Sequence, residues 1–106
     1  MQKKSHQTEV NKIINQIKKA YQPEKIIIFG SYAYGTPNES SDVDLAVIKE
    51  TKENFVNRLK KMAKIIRSYL GADILVYTPN EWQEALKRGD YFVEEIAKKG
   101  KIVYEK

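Results

Sequence analysis

The stretch Lys25-Ile26-Ile27-Ile28-Phe29 is a short apolar run rich in β-branched residues, and Gly30 stops it. Such a run predicts a buried strand, and a glycine at its end predicts a tight backbone turn there. Ser31-Tyr32-Ala33-Tyr34-Gly35 then reads as a short helix. A Gly-Ser turn leading into a helix can aim backbone N–H groups and a hydroxyl at an anion, so Gly30 and Ser31 are candidate phosphate ligands. The next strand opens with Asp42-Val43-Asp44. Residues i and i+2 of a strand project to one face, so Asp42 and Asp44 point together while Val43 turns into packing. Like charges so placed repel, and a divalent cation resolves the repulsion. Mg²⁺ in phosphate sites is held by one or two carboxylates, with waters and phosphate oxygens completing its shell.

Taken alone, Asp42 and Asp44 read first as a solvated, turn-forming strand start, because Asp favours turns. Two further features tip the reading toward a metal site. Gly30-Ser31 lies a short loop upstream, and Asp73 precedes the apolar run Ile74-Leu75-Val76 on what reads as a neighbouring strand. Asp is depleted in strands, and a buried carboxylate needs a compensating partner, for which a cation shared with Asp42 and Asp44 is the economical candidate.

The rest of the chain alternates helical and extended signals. Val10, Ile13, Ile14, Ile17, Ala20 and Tyr21 recur at helical spacing, giving an amphipathic first helix that ends by Pro23. Thr36 to Ser41 is a polar loop rich in turn formers, and the second strand runs over residues 43–48. Phe55, Leu59, Met62, Ile66, Tyr69 and Leu70 predict a helix over 53–70, stopped by Gly71 and followed by a third strand over 72–77. Thr78-Pro79-Asn80-Glu81 combines an N-cap threonine, proline at the first helical position and Glu three residues after the cap. That start signal leads into a helix with Trp82, Ala85 and Leu86, closed by Gly89. Asp90 is a cap for a last helix carrying Phe92, Val93, Ile96 and Ala97, ended by Gly100 and followed by a strand over 101–104. The order α-β-α-β-α-β-α-α-β predicts an α/β (α+β) fold, a small mixed sheet with helices packed against it.

At 106 residues and 42% hydrophobic content the chain reads as one domain, 1–106, with no room for a separate substrate-binding domain. Specificity is therefore expected from loops or a partner. The absence of cysteine excludes disulfides, thiolate nucleophiles and cysteine zinc sites. No apolar run suits a signal peptide or a membrane span, which leads to the expectation of a soluble cytoplasmic protein. A net charge of +5 favours polyanionic ligands, nucleotides or RNA, and equally an acidic protein partner. The lysines at 18–19, 60–64 and 98–101 lack interleaved aromatics, so solvated helix faces are the expectation ahead of direct RNA binding. His6, the only histidine, falls in a polar terminus expected to fray, and takes no role. Tyr32 and Tyr34 read as packing residues with base stacking as the other option, and Trp82 as core.

Phe29-Gly30-Ser31, a spacer of ten residues and Asp42-Val43-Asp44 resemble the signature of the nucleotidyltransferase superfamily related to DNA polymerase β. The chain is most similar to its minimal nucleotidyltransferase (MNT) proteins, little more than the catalytic domain, and the resemblance spans residues 10–104. It implies a third acidic ligand on a later strand, matched by Asp73, which would ligate metal and help deprotonate the attacking hydroxyl. The implied catalytic and metal-binding set is Asp42, Asp44 and Asp73, with Gly30 and Ser31 at the nucleotide, Mg²⁺ in a one- or two-metal site and ATP as donor. Such small proteins are often paired with a helical HEPN ribonuclease toxin, so the resemblance also implies an antitoxin that transfers AMP to a toxin tyrosine. The competing reading is a non-catalytic module that neutralises a partner by contact. One departure favours it: Tyr32 and Tyr34 stand where many relatives carry Arg.

Overall fold

The computed structural model describes residues 2–35, 37 and 41–106, with side chains from His6 onward. Of the polar loop read at 36–41, Thr36, Asn38, Glu39 and Ser40 lie outside the described residues. The elements run α1 (Gln2–Tyr21), β1 (Lys25–Phe29), α2 (Ser31–Tyr34), β2 (Val43–Ile48), α3 (Phe55–Ile65), β3 (Ala72–Tyr77), α4 (Pro79–Lys87), α5 (Tyr91–Lys99) and β4 (Lys101–Glu105).

The strands form one mixed sheet in the order β3-β2-β1-β4. β1 pairs antiparallel with β2 and with β4, whereas β2 and β3 run parallel. A parallel pair needs a crossover, and α3 supplies it. Both faces of the sheet are covered, which is why β1 and β2 are apolar almost throughout. Ile26, Ile28, Val43, Leu45, Val47, Ile74 and Val76 pack with Val10, Ile13 and Ile17 of α1 and Met62 of α3. On the opposite face Ile27, Phe29, Ala46 and Ile48 pack with Trp82 and Ala85 of α4 and Val93 and Ile96 of α5. Trp82 is buried as expected, its ring 5.2 Å from that of Tyr77. The small mixed α/β architecture is the one the element order predicted.

The expected helix over 53–70 is corrected. α3 stops at Ile65, and Ile66 takes an extended conformation. The cause lies in α1, where the Gln16 side chain donates to the Arg67 carbonyl (3.1 Å) and accepts from its N–H (3.0 Å). The Ser68 hydroxyl accepts from the Leu70 N–H (3.0 Å), so this segment satisfies its backbone outside the helix. Leu70 is still buried, whereas Tyr69 is exposed. α1 is also longer than its apolar stripe, starting at Gln2, and Ala20 lies outside the buried face.

Candidate active site

The site forms where β1 ends and β2 and β3 begin. Phe29 pairs with Asp44, so Gly30, one residue on, lies beside the Asp44 side chain. A Cβ at Gly30 would collide with the Asp44 carboxylate, and its φ of +75° is one that side-chain-bearing residues resist. Gly71 plays the same part for Asp42: a Cβ there would run into the Asp42 carboxylate, while the Gly71 carbonyl accepts from the Val43 N–H (2.8 Å). The two carboxylates of the Asp-x-Asp pair thus rest on glycines from two different loops.

Asp44 stands directly opposite Asp73 in the parallel β2–β3 register. Alternation puts Asp44 on the face of Ala46 and Ile48, and Asp73 on the face of Leu75 and Tyr77. Asp44 is half-buried, while Asp42 and Asp73 are exposed. Burial first, then the charges of Asp73 and Asp42, push the Asp44 carboxyl above the usual carboxylate range. The three candidate acids therefore sense one another electrostatically. The reading of Asp73 as a buried carboxylate is corrected: β3 is an edge strand, and water reaches its first residues.

Among the described residues no three His, Cys, Asp or Glu side chains are drawn tightly enough together to form a ready-made metal centre. The donor set is nevertheless all carboxylate oxygen, which suits a hard cation that brings its own waters and phosphate oxygens. α2 is a single turn in which the Gly30 carbonyl accepts from the N–H groups of Ala33 (3.0 Å) and Tyr34 (3.1 Å). The N–H groups of Ser31 and Tyr32 are left without intrahelical acceptors in that turn.

His6 is not in a frayed terminus. It sits in α1, partly buried, with Nδ1 3.4 Å from the Tyr32 hydroxyl and its ring 6.4 Å from Tyr69. Tyr32 packs against the α1 side of the core, and burial, then Tyr69 and Asp42, raise its phenol. Tyr34 is exposed, contrary to the packing reading.

A cleft of about 730 Å³ follows the β3 edge, and Asp44 and Asp73 line it together with Phe29, Leu75, Phe92 and apolar residues of α3. That volume lies within the range of small-molecule sites, roughly 300–1,000 Å³. The buried stripe of α5 belongs to Val93 and Ile96. Phe92 lies about 100° around the helix from Val93, at the rim, and is half-exposed.

Residues 11–106 match the family described as Polymerase beta, Nucleotidyltransferase. The chain is similar to a protein of Methanocaldococcus jannaschii named "putative protein adenylyltransferase", with 24% identity over 90% of this chain and 94% of that relative. It also superposes on the crystal structure of a "putative nucleotidyltransferase" from Sulfolobus solfataricus. The TM-score is 0.65 at 19% identity, covering 93% of this chain and 79% of the other, a likeness of fold.

Proposed function

Because this chain belongs to the polymerase beta nucleotidyltransferase family, we propose that it is a Mg²⁺-dependent transferase that moves AMP from ATP to a tyrosine hydroxyl of a partner HEPN ribonuclease toxin, acting in the cytoplasm as its antitoxin. The observation that carries the metal-dependent chemistry is the opposition of Asp44 and Asp73 beside Gly30, with Asp42 two residues before Asp44. The protein acceptor is supported by the name of the Methanocaldococcus relative. The β3-edge cleft, open to the surface, also suits a macromolecular acceptor.

In this reading Asp42 and Asp44 hold the cation, and Gly30 with Ser31 lies against the donor phosphates. Bound there, Mg²⁺ would offset the charge of the triphosphate and of the departing pyrophosphate. Asp73 orients the acceptor hydroxyl and takes its proton as the oxygen attacks the α-phosphorus. A new phosphorus–oxygen bond forms, the bond to the β-phosphate oxygen breaks, and pyrophosphate leaves. No helix among the described residues is long and apolar enough to cross a membrane.

The second reading is the non-catalytic module, favoured by the tyrosines at 32 and 34 and by the loose spacing of the acids. Co-expression with a helical HEPN ribonuclease, followed by mass spectrometry, separates the two. The expected result is a nucleotide adduct on a partner tyrosine, absent with Asp42→Asn. A silenced but unmodified partner, held equally by Asp42→Asn, overturns the transferase reading in favour of the module. Transfer to a free sugar or antibiotic with no protein adduct overturns the acceptor alone.

A further inference from the structure

The cleft along β3 is chemically divided. Among the described residues its polar side chains are the carboxylates of Asp44 and Asp73, and the remaining lining side chains are apolar. A ligand that matches it carries a cation–polyphosphate at one end and a flat, weakly polar surface at the other. Phe92 supplies a fixed wall for such a surface. Its ring meets Phe29 edge-on at 5.8 Å and 87°, and Phe29 is itself buried and paired with Asp44.

The start of α5 is fixed as well. The Asp90 side chain accepts from the Val93 N–H (3.1 Å), and the Asp90 N–H donates to the Ala85 carbonyl (3.0 Å). The ring is therefore held in place while 47% of the residue remains exposed. A single exposed aromatic residue needs no explanation. A half-exposed ring anchored beside a strand-borne carboxylate, in the same cleft as that carboxylate, does.

We propose that Phe92 is the nucleobase platform of this site, stacking on a purine whose triphosphate and cation reach toward Asp44 and Asp73. The inference rests on the nucleotide reading above and adds the place of the base and its selectivity. Stacking needs only a π-face, and it grows with ring area. Among the described residues the cleft presents no amide, hydroxyl or basic side chain to read the hydrogen-bonding edge of a base. Adenine and guanine are accordingly accepted alike, and both ahead of the smaller pyrimidines.

The test compares binding of ATP, GTP, CTP and inorganic tripolyphosphate, each with Mg²⁺, to the wild type, Phe92→Ala, Phe92→Trp and Asp44→Asn by calorimetry. Phe92→Ala weakens ATP and GTP about tenfold, the loss of one stacked base, and leaves tripolyphosphate unchanged. Phe92→Trp restores purine binding. Wild-type affinities for ATP and GTP agree within about threefold, less than the 1.4 kcal/mol that a factor of ten represents, and CTP is weaker than either. Unchanged ATP binding in Phe92→Ala overturns the platform, as does an equal loss for tripolyphosphate, which would mark a structural effect. A preference between ATP and GTP far beyond threefold overturns the stacking-only selectivity. If tripolyphosphate and ATP both fail to bind the wild type, or bind Asp44→Asn undiminished, the underlying nucleotide site falls, a result separable from failure of Phe92 alone.

Discussion

Asp44 and Asp73 are register partners in the parallel ladder between β2 and β3, so two carboxylates stand side by side at the carboxyl end of β1. Like charges directly opposed across strands destabilise a sheet. The half-buried member carries the consequence, its carboxyl raised by burial and then by Asp73 and Asp42. A divalent cation would turn this repulsion into attraction, so the pair is costly without ligand and useful with it.

Asp44→Asn should therefore separate apo stability from ligand stabilisation. An acid raised above its ordinary value of 3.8 adds stability that is complete below that value and is lost as pH rises through the folded-state value. At neutral pH the ionised wild-type group is a cost, and the mutant should match or exceed the wild type by up to about 1 kcal/mol. The advantage should shrink on acidification. Mg²⁺ with ATP should raise the melting temperature of the wild type but not of Asp44→Asn, since ligand stabilisation follows occupancy. A wild-type shift retained by the mutant would remove Asp44 from the metal site.

Asp73→Asn should act on turnover rather than on donor binding. A group that takes the acceptor proton contributes in the transition state, where general-base catalysis is worth about 100-fold or more. Single-turnover rates should fall by that order, while ATP affinity changes less than about threefold, under the 1.4 kcal/mol of a tenfold step. Equal losses in both would make Asp73 a simple ligand.

The strands were legible because their signals are local. The apolar runs at 25–29, 43–48 and 72–77 end at Gly30, at a polar loop and at Thr78, and the observed boundaries of β1, β2 and β3 coincide with the expected ones. The helix caps at Thr78 and Asp90 were equally local, each made by a side-chain oxygen that accepts from the backbone N–H three residues on. What failed was decided at long range. Residues 66–70 have helical spacing, yet Gln16, 51 positions away, holds Arg67 outside the helix. His6 looked free because the polar terminus carries no apolar stripe, and only the fold brings it to Tyr32. For the site, spacing placed Asp42 and Asp44 on one face. The opposition of Asp73, its exposure and the cleft all depend on β3 being the edge strand, which strand order decides and no local pattern encodes.

Arg58 and Glu81 offer a pH test remote from the carboxylates. Buried Arg58 donates through Nε to the Glu53 carbonyl (2.8 Å), and through its terminal nitrogens to Glu81 Oε1 (2.7 Å) and Oε2 (3.1 Å). Glu81 also accepts from the Thr78 N–H (2.9 Å), closing the capping box of α4. The hydrogen bond from Arg58 is the main cause that holds the Glu81 carboxyl below its ordinary 4.5. Such a group contributes stability above that value and loses it as pH falls through the lower folded-state value. Glu81→Gln should cost about 1–2 kcal/mol at pH 7, tempered because Glu81 is partly solvated. The deficit should narrow in strong acid, as read by urea denaturation, and a pH-independent deficit would assign it to packing instead.

Three glycine substitutions should separate site geometry from general strain. Gly30→Ala forces a side chain into φ +75° and into the Asp44 carboxylate, so it should lower stability by about 1–3 kcal/mol and abolish transfer as Asp44 is displaced. Gly71→Ala meets only the end of the Asp42 side chain, with no positive φ to oppose it. Asp42 can swing aside, so stability should hold while Mg²⁺-dependent activity falls. Gly89 has a φ of +74° but nothing within 4 Å of an added Cβ. Gly89→Ala should cost about 1–2 kcal/mol, the price of the left-handed conformation, and leave activity intact. The three are compared by melting temperature and by transfer rate below every melting point. If Gly89→Ala lost as much activity as Gly30→Ala, the losses would track stability alone, and the close seating of Asp44 on Gly30 and Asp42 on Gly71 would have no part in the chemistry.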